Sequence, residues 1–517
     1  MNTIPAKATR REWIGLAVLS LACVLYAMDL TVLHLAVPKL SAALQPSSAQ
    51  LLWIIDVYGF FVAGSLITMG TLGDRIGRRK LLLIGATLFG IVSTIAAFSN
   101  SAGMLIASRA LMGIAGATLA PGTLSLIFNM FPDPNERARA IGVWISSFSA
   151  GSAIGPVLGG ILLEYFWWGS VFLLALPVMA LLLLLGPRVL PEYRDPNAGR
   201  LDPISAAMSL VAILGIIYGI KEFAQNGLST MPALVMSMGL VIGFFFIQRQ
   251  LGLKDPLMDL RLFRIPSFNV SLATNLLGVF IAVGYFLYIA QYLQLVLELS
   301  PLEAGLWSLP SAIGFVVGSN VAPKYIHRYR PSVVLGSMLA VSAFGLGILA
   351  LVTAANGLAL IVGASIIISL AMSPVFSLTT EFIVGSAPPE RAGAASGISE
   401  TGAELGGALG IAILGSIGTA IYRGVLANRL PDAIPAEIRD VARDTLGAAV
   451  QAASELPEDQ KQVLLNVARD AFVQGLHLVA VIAAVVAIGA AIMVTVLLRK
   501  TAPKSETVRT KEFVHEK

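Results

Sequence analysis

Charged side chains are scarce in this sequence. Only 13% of its 517 residues are Asp, Glu, Lys or Arg, whereas 56% are hydrophobic, and the mean hydropathy is +0.81. Soluble globular proteins carry about 25% charged and roughly 45–50% apolar residues. With half the usual number of charged side chains, the chain cannot form the polar surface that a soluble protein presents to water. The composition therefore excludes the soluble classes and indicates a polytopic membrane protein.

Cysteine and histidine are also rare. Cys23 is the one cysteine, and the four histidines have no ligand spacing: His34, His327, His477 and His515. A disulfide framework and a cysteine-based metal site are therefore excluded. The sequence contains no GxxxxGK[ST] phosphate loop, so ATP hydrolysis is not indicated and we expect neither a metal nor any other cofactor. The net charge of +5 comes from basic residues concentrated in the predicted loops on one side of the membrane, so it does not indicate a nucleic-acid partner.

Apolar stretches of about 20 residues, the length that crosses a bilayer, recur along the chain. They predict fourteen spans, near 13–37, 50–71, 81–99, 103–127, 138–162, 168–187, 203–220, 231–248, 268–293, 303–322, 332–353, 357–378, 393–420 and 476–498. The polar start of the chain lacks a cleavage-site pattern, so we interpret the first span as a retained helix.

The predicted fold is all-α, with two six-helix bundles at 1–187 and 268–498, an inserted helix pair at 188–267, and a tail at 499–517. Sequence similarity between the two halves is weak: GDRIGRRK at 73–80 has only the degenerate counterpart PKYIHRYR at 323–330. Parallel repeats of this kind form secondary transporters with a site between the halves.

Basic residues are distributed unevenly over the predicted loops. Most of the 35 fall on the side of the termini, with clusters at Lys7–Arg11, Arg75–Lys80 and Arg137–Arg139. The positive-inside rule then places both termini in the cytoplasm of a multi-pass inner-membrane protein. A twelve-span topology would give the same orientation, so fourteen depends on spans 203–220 and 231–248. Lys39 and Lys221 are expected outside.

The loop 421–475 is too long for a simple connector. Apolar residues recur at helical spacing around Ile438–Ala442, Leu446–Val450 and Val463–Ala471, which predicts an external helical hairpin. It either packs on the mouth of the bundle or takes part in gating or substrate handling.

Ionisable residues inside the spans are the most informative feature, because each costs several kcal/mol unless it is paired or hydrated. Asp29, Asp56 and Arg109 are expected in one layer, roughly 9–12 Å from the outer ends of their helices at about 1.5 Å per residue. An arginine among these carboxylates would hold them charged. The other interpretation is a static ion pair that fixes helix packing.

Glu400 and Glu404 are four residues apart, so they face the same way on one helix. Because like charges this close repel, one is expected to be protonated or neutralised by a bound cation. The alternative is a water-exposed pair without function. Acids outnumber bases inside the spans, which favours protons or cationic cargo.

Two glycine-rich stretches stand out. The loop at 70–80 makes a tight turn, and its Asp74 is expected either to cap a helix or to pair with Arg137 or Arg139. In the helix 151–160, Gly151, Gly155 and Gly159 share one face and predict close approach of a neighbouring helix. Pro156 is expected to bend that helix.

Together these stretches resemble the major facilitator superfamily, and most closely its fourteen-span drug:proton antiporters, which export quaternary ammonium compounds and dyes. The resemblance rests on GTLGDRIGRRK (Gly70–Lys80), LIASRALMGIAG (Leu105–Gly116), GSAIGPVLGG (Gly151–Gly160), MDLTVLHLAVP (Met28–Pro38) and LLWIIDVYGF (Leu51–Phe60). Some relatives carry an acid midway along the tenth span, where this sequence has Phe315. That departure argues against strong handling of divalent cations.

The resemblance implies a role for each motif. Proton coupling and cation binding would fall to Asp29, Asp56, Arg109, Glu400 and Glu404. The cytoplasmic gate would use Gly70, Asp74, Arg75, Gly77 and Arg78, and the antiporter helix motif would use Gly151, Gly155, Pro156, Gly159 and Gly160. Aromatic side chains could stack on cationic rings or simply pack: Trp53, Tyr58, Tyr285, Tyr288 and Tyr292.

The sequence therefore predicts a monomeric secondary transporter that lies in the lipid bilayer and exchanges protons for lipophilic cations. A narrow exporter of one endogenous metabolite or antibiotic remains the alternative. A membrane enzyme would need a nucleophile–base or metal cluster within the spans, and a sensor would need a cytoplasmic output domain. Neither feature is visible.

Overall fold

The computed structural model describes residues 7–46, 48–194, 201–226, 229–326, 329–353, 357–431 and 433–499, and every regular element within these ranges is helical. The first part of the chain forms α1 (Arg10–Leu44), α2 (Ser48–Ile76), α3 (Arg78–Ala97), α4 (Ala102–Gly116), α5 (Leu119–Met130), α6 (Pro134–Tyr165), α7 (Ser170–Leu173) and α8 (Ala175–Val189). The middle part forms α9 (Pro203–Asn226) and α10 (Thr230–Gly252). The last part forms α11 (Pro266–Gln291), α12 (Pro301–Ile326), α13 (Pro331–Leu349), α14 (Gly357–Gly385), α15 (Ala392–Arg429), α16 (Ala436–Asp444), α17 (Leu446–Ala453) and α18 (Glu458–Leu497).

Twelve segments of the described chain are long and apolar enough to cross a membrane. The protein is therefore a multi-pass membrane protein, as its composition indicates. The predicted spans 138–162 and 303–322 correspond to α6 and α12, which are not among the twelve. The count of fourteen is not confirmed by length and apolarity, and it stays a prediction.

Two large apolar cores hold the helices together. One is built almost entirely from α1–α8 and the other from α11–α18. α9 lies at the seam between them, where its Ile217 packs with Phe60 and Ala63 of α2 and with Ala408 of α15. α9 thus contacts both halves, and α10 packs against α9.

Local sequence signals explain several helix ends. The Asp133 carboxylate accepts hydrogen bonds from the backbone N–H groups of Asn135 and Glu136, and Pro134 occupies the first turn of α6. Gly77 alone joins α2 to α3, with a φ of +112°. A side chain is strained in that conformation, which is why a glycine stands there.

The loop 421–475 differs in detail from the predicted hairpin. α15 continues to Arg429 and α18 already begins at Glu458, so only α16 and α17 form the connection. Ala442, Leu446 and Ala449 are buried against the second core, and the Tyr422 hydroxyl donates to the Ala442 carbonyl at 2.9 Å. The segment is packed onto the end of the bundle.

The helices α9 and α10 are joined at one end by an ion pair. Arg249 Nε donates to Asp202 Oδ2 at 2.8 Å, and this bond holds the pKa of the Asp202 carboxyl at about 2, below its ordinary value of 3.8. Because the folded-state pKa is lowered, the contribution of the pair is complete above pH 3.8 and is lost as the pH falls through 2. It is constant over the neutral range.

Close backbone contact joins the same two helices further along. A Cβ atom on Gly239 would lie 2.9 Å from the Ala212 carbonyl oxygen and 3.0 Å from the Ile216 nitrogen, whereas one on Gly243 would meet the Ala212 Cβ at an ordinary 3.6 Å. Glycine at 239 therefore permits a helix approach that alanine does not.

We expect Gly239→Ala to lower the melting temperature of the purified protein relative to Gly243→Ala, because overpacking costs about 1–3 kcal/mol. Both substitutions give the same gain in helix propensity, so the matched pair isolates the contact. Thermal unfolding in one detergent measures the difference. Equal melting temperatures would show that the α9 and α10 backbones do not touch at Gly239.

Candidate functional site

A buried ion pair lies inside the first half of the molecule. Arg109 of α4 is only 1% exposed, and its Nη1 donates to Asp29 Oδ2 of α1 at 2.6 Å. Its Nε and Nη2 donate to the carbonyls of Ile54 and Ile55 at 3.2 and 3.5 Å. Carboxylate and carbonyl partners together satisfy a charge that would otherwise be very costly to bury.

Asp56 does not share this arginine. Its Oδ1 accepts from Lys221 Nζ of α9 at 2.7 Å. Arg109 therefore pairs with Asp29 alone of the two aspartates. The expected outer position of Lys221 stays a prediction; α9 extends to Asn226 and carries this lysine to the side of α2.

Glu400 and Glu404 of α15 are both half-buried. The Tyr26 hydroxyl of α1 donates to Glu404 Oε1 at 3.2 Å, so the hydrogen bond crosses from the first half to the second. Tyr26 is not among the residues predicted from the sequence. Its position three residues before Asp29, on the same helix face, is the signal that could have identified it.

Two tyrosines connect Glu404 with the Asp29–Arg109 pair. The ring centroids of Tyr26 and Tyr58 are 6.2 Å apart, and the Arg109 guanidinium lies 4.8 Å from the Tyr58 centroid. The Tyr58 hydroxyl is buried and has no hydrogen-bond partner among the described residues. A continuous line of polar and aromatic side chains thus runs from Glu404 through Tyr26, Tyr58 and Arg109 to Asp29. We call it the central line.

The other predicted aromatic residues occupy different environments. Trp53 is exposed on one side and stacks on Tyr218 of α9, with centroids 6.3 Å apart and planes inclined by 12°. Tyr285 and Tyr288 are buried in the second core, and the Tyr288 hydroxyl donates to the Leu414 carbonyl at 3.2 Å. Tyr292 is buried with them. These three tyrosines pack in the second core, which agrees with the packing alternative for them.

On the face that carries the start of α1, which we call the inner face, Asp74 joins the two halves. Its carboxylate accepts from the backbone N–H groups of Gly393 and Ala394 at 3.1 and 2.9 Å, at the beginning of α15. Arg78 Nε donates to the same carboxylate at 2.8 Å. Of the two expected roles, the helix cap is the one present. Arg137 Nη2 instead lies 4.0 Å from Glu381 Oε1.

The remaining gate residues surround this cap. A Cβ atom on Gly70 would collide with the Gly393 carbonyl oxygen, so the glycine permits α2 and α15 to meet. Arg75 Nη2 donates to the Asp255 carbonyl at 3.3 Å, and Asp255 also lies 3.7 Å from Arg391. The linker between α10 and α11 therefore bridges both halves.

The glycines of α6 are used unequally. A Cβ atom on Gly151 would collide with the Val24 carbonyl oxygen of α1, and one on Gly159 would lie 2.8 Å from Val32 Cγ1. The predicted close approach is present at these two positions. Gly155 is buried, whereas Gly160 faces open space. The Pro156 side chain lies outside the described residues.

Comparison with known proteins identifies the family. The sequence model of the Major Facilitator Superfamily matches residues 19–411. The chain belongs to the major facilitator superfamily. The all-helical fold is that of a transporter of this superfamily.

Three relatives extend over nearly the whole chain. The sequence is 42% identical to the multidrug efflux pump LfrA of Mycolicibacterium smegmatis, covering 95% of this chain and 97% of that protein. It is 37% identical to the methyl viologen resistance protein SmvA of Salmonella typhimurium, over 90% and 93%. It is 31% identical to the tetracenomycin C resistance and export protein of Streptomyces glaucescens, over 96% and 94%.

Solved structures share the superfamily fold at low sequence identity. A bacterial homolog of the human lysosomal transporter Spinster, in an inward-facing and unoccupied conformation, matches with a TM-score of 0.56 and 20% identity over 95% of this chain and 98% of that one. The human organic anion transporter MFSD10 matches with a TM-score of 0.55 and 14% identity, over 92% and 99%.

We expect Asp74→Asn to open the inner face, because Oδ1 and Oδ2 of Asp74 each accept one N–H group of α15, and in the amide one of these two acceptors becomes an NH2 donor. Loss of a cap costs about 1 kcal/mol, which would raise the open population about fivefold. Ser396 is buried one turn inside the capped end of α15, on the face of Gly393. The labelling rate of Ser396→Cys by an impermeant maleimide, in a Cys23→Ser background in inside-out vesicles, measures this opening.

Asp133→Asn is the matched control, because Asp133 caps its own helix α6 and joins no second element. It should leave the labelling rate of Ser396→Cys unchanged. An equal rise in both variants would mean that the labelling reports general loosening, and no rise in Asp74→Asn would show that the cap does not hold the inner face closed.

Proposed function

We propose that this protein is a proton-coupled multidrug antiporter that exports lipophilic organic cations across the cytoplasmic membrane by alternating access. The cargo class comprises quaternary ammonium compounds, dyes and biguanide-like biocides. The observation that carries the proposal is the central line, which links an acid of the second half to an acid of the first through aromatic rings. Movement of the halves would make or break this line.

The charge balance at the seam favours cations. Arg109 neutralises Asp29, and Lys221 neutralises Asp56, at 2.6 and 2.7 Å. Glu400 and Glu404 have no ion pair among the described residues. The excess negative charge therefore lies on α15, where a cation or a proton would be held.

The names of two relatives agree with this cargo. One is a multidrug efflux pump, and the other confers resistance to methyl viologen, an organic cation. At 42% and 37% identity over nearly the full length, a similar transport direction is the simplest expectation for this chain.

The proposed cycle uses the two acidic regions in turn. A proton entering from outside neutralises Asp29 or Asp56, which releases cargo outward and favours the inward-open state. Cargo entering from the cytoplasm binds near Glu400 and Glu404 and displaces the proton inward. The proton gradient thus supplies the free energy, and the Asp74 cap with Arg75 closes the cytoplasmic side in the outward phase.

We further propose fourteen spans with both termini in the cytoplasm. α6 runs beside the membrane helix α1 from end to end: the Ala8 N–H donates to Glu136 at 2.7 Å at one end, and Lys39 donates to the Leu163 carbonyl at the other. α12 runs in the same direction as α14, with Gly314 beside Ile366 and Gly318 beside Leu370. Each should cross wherever its neighbour does.

A narrow exporter is the second candidate. The tetracenomycin C resistance and export protein is 31% identical over 96% of this chain, so the same scaffold also occurs in a protein named for a single compound. A cargo panel distinguishes the two.

We expect ethidium and quaternary ammonium compounds to discharge the proton gradient of respiring everted vesicles that contain the wild type, with a pH-sensitive dye as readout. Asp29→Asn and Glu400→Gln should raise the half-maximal cation concentration about tenfold or more, because a lost charged partner costs about 1.5–3 kcal/mol. Glu164→Gln, an exposed carboxylate at the far end of α6, should behave as the wild type.

Silence of the folded, inserted wild type across the whole panel would contradict polyspecific cation export and favour the narrow exporter. Full activity of Asp29→Asn and Glu400→Gln would leave the export of cations standing and refute the coupling roles of these two carboxylates.

A further inference from the structure

The inserted helix α9 brings a positive charge to a carboxylate of the first half. Lys221 Nζ lies 2.7 Å from Asp56 Oδ1 and 4.7 Å from the centroid of the Phe60 ring. The two charged side chains are 27% and 22% exposed, so the protein does not fully enclose the pair. A partly exposed pair of this kind contributes little to stability and can exchange its partner.

The surroundings of Asp56 have the chemistry that recognises a lipophilic cation. Trp53, Asp56 and Phe60 follow one another at helical spacing on α2, and the Trp53 and Phe60 rings meet edge to face with centroids 6.1 Å apart, beside the carboxylate. α9 covers this face of α2 with an aromatic ring and a cation. Tyr218 stacks on Trp53, and the Lys221 ammonium pairs with the Asp56 carboxylate and lies over the Phe60 ring. A ring and a cation of the protein thus occupy the place that an aromatic cation would fill.

The helix that carries Lys221 also packs against the helix that carries Glu404. Ile217 of α9 packs with Ala408 of α15, one turn from Glu404. Glu222 follows Lys221 on α9 and makes an interaction of its own. The flexible stem of a lysine allows its ammonium to leave Asp56 without movement of the helix backbone.

We propose that Lys221 is a tethered counterion, which holds Asp56 in the cargo-free protein and is displaced from it by an organic cation. One positive charge replaces another at the carboxylate, so Asp56 keeps a cationic partner while the ammonium of Lys221 moves aside. The inserted helix pair then contributes to specificity, since Lys221 sets how tightly a cargo cation must bind in order to displace the lysine from Asp56. This inference rests on the proposed export of cations and assigns a role to helices that two six-helix bundles lack.

The test compares Lys221→Met with the wild type in the everted-vesicle assay, because methionine keeps an apolar stem over Phe60 without the charge. The half-maximal concentration of ethidium should fall about two- to fivefold, the size of a partly exposed ion pair. The half-maximal concentration of methyl viologen, which carries two positive charges, should fall more than that of ethidium. Lys221→Arg, which keeps the charge, should give the wild-type concentrations for both compounds.

The double variant Lys221→Met with Asp56→Asn separates this role from a structural one. If the lysine competes with cargo, the gain in affinity needs the Asp56 carboxylate and disappears in the double variant. Lys461→Met breaks an exposed pair with Glu458, and it should leave the half-maximal concentrations of both cations unchanged. Melting temperatures of all variants show whether folding is affected.

An active wild type with an unchanged or raised half-maximal concentration in Lys221→Met would overturn the inference while the proposed function stands. A gain that persists when Asp56 is also replaced would overturn it as well. A wild type that moves no organic cation would instead refute the proposed function.

Discussion

The Asp74 carboxylate at the start of α15 is the interaction on which the arrangement of the two halves depends. It accepts two backbone N–H groups of α15 and a guanidinium of its own half. A helix N-terminus carries partial positive charge, so a buried carboxylate is a strong partner for it. With the beginning of α15 fixed against α2, Glu404 two to three turns further along comes opposite Tyr26 of α1.

Pairing of charge governs the remaining seam. Three bases found there pair with acids of other elements: Arg109 with Asp29, Lys221 with Asp56, and Arg391 with Asp255 and Asp259 of the linker. Because each pair joins different helices, a change in the protonation or partner of one acid alters which helices are held together. In the proposed cycle, this is how a proton or a cation would be coupled to movement of the halves.

The inserted helices take part in this network at both ends. Near the inner face, Asp202 pairs with Arg249 and the following linker reaches Arg75 and Arg391; further along α9, Lys221 reaches Asp56. A pair of helices added only to fill the membrane would need apolar contacts alone. Their charged contacts lie at the motif residues of the first half, which is the physical basis for treating them as part of the transport machinery.

Composition and hydropathy were enough to predict an all-helical membrane protein, and the motifs indicated the superfamily that residues 19–411 match. Residue type and helical spacing also singled out Asp29, Asp56, Arg109, Glu400 and Glu404, because a charge in an apolar span stands out by itself. Partners could not be predicted in the same way. Tyr26 and Lys221 are ordinary at their places in the sequence, and only the packing of α1 on α15 and of α9 on α2 brings their polar atoms to the acids.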